Sequence, residues 1–201
     1  DGTKKTPDEL IKESLGKFKL SLSVTLKKIL TSWGKAPVFI DLSLVNSSIV
    51  VESLKKTLSF ADESTVCLIP VISLKSSAEI NSLSVDYARN NDSGLCLRLF
   101  RSDLNRKTLA DDINNLLTTL NLRVCGVDLL VDFQITDEQC YRLKELEAIL
   151  PEILKWRTFI VVSGAFPKDL TRYTVDTHFI DRDDWNRWVN QINSDSLKRK
   201  P

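Results

Sequence analysis

Asp41, Arg98, Asp132 and Ser163 are the residues whose types and positions point to chemistry, because each ends or interrupts an apolar run. Asp41 follows Pro37-Val38-Phe39-Ile40, and Asp132 follows Val127-Asp128-Leu129-Leu130-Val131. Two carboxylates at strand ends could hold a divalent cation, or act as general acid and base, if the fold brings them together. The plainer reading is an aspartate that caps the next turn or helix, a common use at strand-to-helix junctions. Arg98 lies inside Leu97-Arg98-Leu99, where an unpaired guanidinium would be costly to bury. It therefore requires either an ion pair with Asp41 or Asp132, or an anionic ligand such as a carboxylate or phosphate, to which its planar fork is suited. Ser163 and Gly164 lie just past a further apolar run, where backbone N–H groups can cradle an anion. No G-x-S-x-G elbow surrounds Ser163 and no histidine is near it in sequence, so a nucleophilic serine has little support.

These residues depend on a regular alternation of elements. Apolar runs at 37–41, 67–72, 95–99, 127–132 and 158–163 start at intervals of roughly thirty residues, the length of a strand and its crossover helix. Their lack of polar alternation suits strands buried on both faces. Helical patterning fills the gaps at Ile49–Phe60, Ser77–Arg89, Leu104–Leu120 and Thr136–Leu150, and Thr136-Asp137-Glu138-Gln139 gives the last of these a cap and a polar first turn. Strands alternating with helices imply parallel pairing and right-handed crossovers, which either a doubly wound sheet or a (β/α) barrel satisfies. The even spacing and the lack of a glycine-rich turn after any strand favour a TIM-barrel-like arrangement, an incomplete (β/α) barrel of about five strands. No G-x-G-x-x-G or G-x-x-x-x-G-K occurs, and nucleotide-binding readings based on those loops lose their support. One domain, or part of one, is expected over residues 1–201: a helical lead-in to 34, βα repeats over 35–193, and a tail from 194.

The lead-in has a clear start and an ambiguous middle. Thr6-Pro7-Asp8-Glu9 combines an N-cap, proline at the first helical position and a glutamate three residues after the cap, which predicts a helix. Phe18, Leu20, Leu22, Val24 and Leu26 then alternate with polar residues as in a strand, whereas Val24, Leu26, Ile29, Leu30 and Trp33, before Gly34, restore a helical stripe. Helix is favoured for the second half. Near the other end, Trp185, Trp188, Val189 and Ile192 recur at helical spacing, so a short amphipathic helix should cover the core before Ser194. Lys198-Arg199-Lys200 reads as a solvated end.

Composition narrows the function classes. Lys+Arg 28 against Asp+Glu 27 leaves a formal charge of +1, so nucleic acid is not indicated by bulk charge. No apolar run approaches the roughly 18 to 20 residues that span a bilayer, and no charged-then-apolar leader opens the chain, so a cytoplasmic protein is expected. Methionine is absent even at position 1, which is expected of a chain that starts downstream of a start codon. Cys67, Cys96, Cys125 and Cys140 are far apart, the first three in or beside expected strands, and no disulfide framework is expected. His178 is the only histidine and lies in a polar stretch, which excludes a multi-histidine metal site and makes it a surface residue by expectation.

Read in order, Phe39-Ile40-Asp41-Leu42, Cys96-Leu97-Arg98-Leu99, Leu130-Val131-Asp132-Phe133 and Val162-Ser163-Gly164-Ala165-Phe166-Pro167, followed by the Trp185 and Trp188 helix, resemble the bacteriophage and prophage "beta protein" family. The resemblance covers nearly the whole chain. It implies a (β/α)-barrel-like fold, and it carries over no settled activity and names no cofactor. The Lys-Trp-Lys stretch and Gly-Glu pair of the family's first strands, and the Gly-Asp-Tyr of its last, are not present here. Family members are longer, so the resemblance implies an internal piece whose outer strands have edges that are exposed or paired with another chain. Two function classes follow. One is a barrel, enzymatic or not, that binds a small anion through Arg98, Ser163 and Gly164 with Asp41 and Asp132 as catalytic carboxylates. The other is a phage-encoded interaction protein that uses the barrel as a scaffold for a protein partner.

Overall fold

The computed structural model describes residues 5–64, 66–135, 143–166, 171 and 174–194, with backbone alone at 19, 143, 144 and 191–194. Five strands alternate with helices: α1 (Pro7–Trp33), β1 (Val38–Ile40), α2 (Val50–Ser64), β2 (Leu68–Ile72), α3 (Ala78–Asn91), β3 (Leu95–Phe100), α4 (Arg101–Leu104), α5 (Leu109–Thr119), β4 (Val127–Ile135), α6 (Leu143–Ile149), β5 (Thr158–Gly164) and α7 (Asp183–Ser194). The strand order is β1-β2-β3-β4-β5, with β1–β2, β2–β3 and β4–β5 parallel. A strand order that follows the sequence without reversal is that of a (β/α) barrel and not of a doubly wound sheet. The fold is α/β, five parallel strands of an incomplete (β/α) barrel. Two compact units divide the chain, Asp1–Leu97 with Leu120–Leu122, and Arg98–Thr119 with Arg123–Pro201; the division falls within β3.

In the first unit, α1 opens on the capping box expected of Thr6-Pro7-Asp8-Glu9. The Glu9 N–H donates to the Thr6 hydroxyl at 3.3 Å, and the Thr6 N–H to the Glu9 carboxylate at 2.7 Å. The stretch at 18–26, whose alternation left strand and helix open, is helical throughout: α1 is one helix of 27 residues. The reason lies in burial. Leu22 and Leu26, four residues apart, enter a core with Leu54, Leu58 and Ala61 of α2, Leu68 of β2, and Tyr87 of α3, and Phe18, Ile29 and Leu30 pack against it. Leu20 and Val24 are left 73% and 52% exposed. A strand would have placed all four of 20, 22, 24 and 26 on one face; the core selects the helical pair. Val38 and Ile40 of β1 pack on the same cluster.

In the second unit two boundaries and the burial of one helix depart from expectation. The helix expected over Leu104–Leu120 is two helices, α4 and α5. Polar Asn105 to Thr108 interrupt it, the Leu109 N–H donates to the Arg106 carbonyl at 3.2 Å, and the Thr108 hydroxyl meets the Asp112 carboxylate at 3.1 Å as α5 restarts. β4 continues past Asp132 to Ile135, because a register shift between Asp132 and Ile135 lets it run on beside β5. Gln134, at φ 59°, is the left-handed residue of that bulge. Finally, α7 forms as its tryptophan spacing predicts, yet Trp185 and Trp188 are 58% and 43% exposed and so do not cover the core. The Thr136 cap, Cys140 and the Lys198–Lys200 run lie outside the described residues.

A denaturation series follows from the α1 assignment. Leu22→Ala and Leu26→Ala should each cost about 2–5 kcal/mol in urea unfolding. Leu20→Ala and Val24→Ala should stay within about 0.5 kcal/mol of the parent. Comparable losses at all four positions would contradict the helical packing.

Candidate functional site

Strand register in the second unit decides which side chains share a surface. Asp128 pairs Thr158, Leu130 pairs Ile160, and Asp132 pairs Val162. Paired residues of parallel neighbours project to the same side, and successive residues to opposite sides. One face of β4 and β5 thus carries Asp128, Leu130, Asp132, Thr158, Ile160 and Val162. The other face carries Leu129, Val131 and Phe133, all buried, as expected of a surface covered by helices.

Arg98 of β3 joins the first of these faces. Its Nε–H donates to Asp132 Oδ2 at 3.1 Å, and its Nη2 donates to the same oxygen. Asp132 Oδ1 accepts the Gln134 backbone N–H at 2.7 Å, so the bulge that prolongs β4 also fixes the carboxylate. The guanidinium carbon lies 4.5 Å from the centroid of the Phe100 ring, a cation–π contact that sets its plane. Asp132 is the partner that an arginine in an apolar strand requires. The side chains are 24% and 10% exposed, so the pair is buried on one flank and open to solvent on the other.

The remaining residues are placed differently. Asp41, half-buried in the first unit, accepts the Ser43 N–H at 2.7 Å, the turn-capping use of an aspartate after a strand. Ser163 is exposed, and since Val162 pairs Asp132, strand alternation puts Ser163 on the opposite side of β5 from Asp132 and Arg98. Gly164 pairs Ile135 beyond the bulge, and a Cβ there would stand 3.7 Å from the Gln134 carbonyl oxygen, an ordinary contact. His178 is exposed, its ring nitrogen 2.9 Å from the Thr174 carbonyl. Cys67 and Cys125 are free thiols. Among the described residues, no three histidine, cysteine, aspartate or glutamate side chains are grouped to hold a metal, and no helix is long and apolar enough to cross a membrane.

Two buried carboxylates escaped the sequence reading. Asp128, with 3% of its side chain exposed, accepts Arg157 Nε at 2.8 Å and Nη2 at 2.5 Å, and the Thr158 hydroxyl as well. This bidentate pair ties the start of β4 to the start of β5. Its position at the N-terminal ends of the strands marks it as a stabilising group, since sites in such folds open at the C-terminal ends. Asp103, 2% exposed, accepts the Phe100 N–H at 2.9 Å and so fixes the turn out of β3. Its spacing three residues after the strand end was the available signal.

The family model described as Beta protein matches residues 4–201. The chain belongs to the Beta protein family. No curated protein and no solved structure matches the chain, so family membership brings no assigned site, and the Arg98–Asp132 geometry stands on its own chemistry.

The Asp128–Arg157 pair gives a stability test. Arg157→Leu leaves a buried carboxylate without its cation and should cost about 3–5 kcal/mol, whereas Asp128→Leu with Arg157→Leu should recover most of that loss. Urea unfolding of the two variants checks this, and a double variant less stable than the single one would contradict it.

Proposed function

We propose that this Beta protein family member is a small-anion-binding protein whose binding residue is Arg98, oriented by Asp132. The observation that carries the reading is a guanidinium fixed in place by a carboxylate and an aromatic ring, with 24% of its side chain still exposed. A preorganised arginine binds a carboxylate or phosphate without first losing side-chain freedom. Both Asp132 oxygens accept hydrogen bonds, which favours an orienting role over a general base. The proposed site is Arg98 with Asp132; Asp41 caps its own turn, and Ser163 lies on the opposite side of β5. Free thiols at Cys67 and Cys125 support a reducing, cytoplasmic setting.

A second reading, a phage or prophage interaction protein without catalysis, is favoured by the exposed tryptophans of α7 and by Leu20 and Val24 of α1, since uncovered apolar side chains in groups are typical of partner surfaces.

Thermal unfolding with added acetate or phosphate tests the first reading. A saturating anion, at about 100 times its Kd, should stabilise the parent by about 2.7 kcal/mol. The variant combining Arg98→Leu with Asp132→Leu, which removes the pair without leaving a charge unpaired, should fold but show no such gain. Equal stabilisation of parent and variant would reject an Arg98 site.

A further inference from the structure

We propose that the outer face of α1 docks an acidic amphipathic helix of a protein partner. The inference rests on the reading of the chain as an interaction protein, and names the surface and the chemistry of what covers it. Over residues 14–40 the chain carries Lys17, Lys19, Lys27, Lys28 and Lys35 and no aspartate or glutamate, although its formal net charge is only +1. Positive charge is thus concentrated here, most of it on α1. At about 100° of turn per residue, Leu20 and Val24 lie on the far side of α1 from Leu22 and Leu26, which enter the core. Lys17, Leu20, Val24 and Lys28 follow one another at spacings of three and four, which makes them one stripe with Lys27 on its flank. All five are exposed. Glu13, one turn before Lys17, is held by Lys5 and Lys17, so no carboxylate of α1 remains to answer Lys27 and Lys28.

Gly16 argues for a helix as the occupant. It is exposed, one turn before Leu20, where glycine weakens a helix relative to alanine. A Cβ there would meet nothing within 4 Å among the described residues, so the packing of α1 does not call for a glycine. A second helix laid across α1 does, because the missing side chain lets its backbone approach. Apolar side chains of that helix would cover Leu20 and Val24, and carboxylates on its flanks would meet Lys17, Lys27 and Lys28. An anionic bilayer would draw on the same lysines. The apolar part of the stripe is two aliphatic side chains, however, without the tryptophan or phenylalanine by which interfacial helices insert, and Trp33 lies about half a turn of the helix away from Val24.

Fluorescence anisotropy with the full chain tests the inference, using a labelled synthetic helix with leucine along one face and glutamate on both flanks. The same peptide with glutamine for glutamate, and phosphatidylcholine vesicles containing phosphatidylserine, provide the alternatives. The acidic helix should bind more tightly than the glutamine one, and added salt should weaken it. Lys27→Glu with Lys28→Glu should weaken binding by roughly tenfold, and Leu20→Ala with Val24→Ala by a similar factor, with helix content unchanged by circular dichroism. Gly16→Leu, which fills the notch, should weaken it as well. Equal binding of the two peptides, or binding that survives the α1 variants, would overturn the inference. Vesicle binding that depends on Lys27 and Lys28, without peptide binding, would overturn it in favour of a lipid surface. Binding lost only with Trp185→Ala and Trp188→Ala would put the partner on α7, overturning the inference and leaving the interaction reading standing. Absence of binding by the acidic helix would overturn the inference alone, since the exposed tryptophans of α7 support the interaction reading separately.

Discussion

A guanidinium set between two leucines in a strand is the constraint on which the second unit turns. Leu97 and Leu99 are 1% and 0% exposed, so the backbone of β3 cannot slip to carry Arg98 elsewhere without exposing them. The charge must be met on the face it already occupies. Asp132 meets it from β4, and Gln134, through its left-handed backbone, turns its N–H back to the same carboxylate. The bulge in β4 is thus part of the ion pair's support. Without it the carboxylate would have an oxygen to satisfy in a surrounding that is largely apolar.

The same strands carry two kinds of ion pair on one face. Asp128 with Arg157 and Thr158 lies where β4 and β5 begin, and its carboxylate is almost wholly enclosed. Arg98 with Asp132 lies further along and keeps a solvent-facing flank. Burial distinguishes them: the Asp128 carboxylate is enclosed in a bidentate pair, whereas the Arg98–Asp132 pair keeps one flank in solvent. Leu130 and Ile160 separate the two pairs in the register of β4 and β5 and give that face its apolar middle.

Much of this was legible in the residues. Long apolar runs announced the parallel strands, because a strand buried on both faces leaves a run that no helical stripe resembles, and Thr6 to Glu9 announced the start of α1. Arg98 could be singled out from its two leucine neighbours alone, although which aspartate it meets depends on strand register, a tertiary property. Leu20 to Leu26 stayed ambiguous because period-2 and period-3.6 patterns overlap over so short a stretch, and only the core around Leu54, Leu58 and Leu68 chooses between them. Asp128 was hidden within an otherwise apolar run, and its partner Arg157 preceded the next one, so neither looked like half of a pair. Trp185 and Trp188 had the spacing of a core-facing helix and took the helical form, but spacing does not specify what the face meets.

The central claim is that Asp132 holds Arg98 in one orientation on a partly open face, ready for an anion. The proton-detected nitrogen spectrum of the arginine side chains measures this most directly. A fixed Arg98 predicts one Nε–H resonance protected from solvent exchange at neutral pH, displaced when acetate is added, and shifted to the exposed-arginine position by Asp132→Asn. An Arg98 resonance that exchanges like those of surface arginines in the parent protein, and does not respond to acetate or to Asp132→Asn, would contradict it.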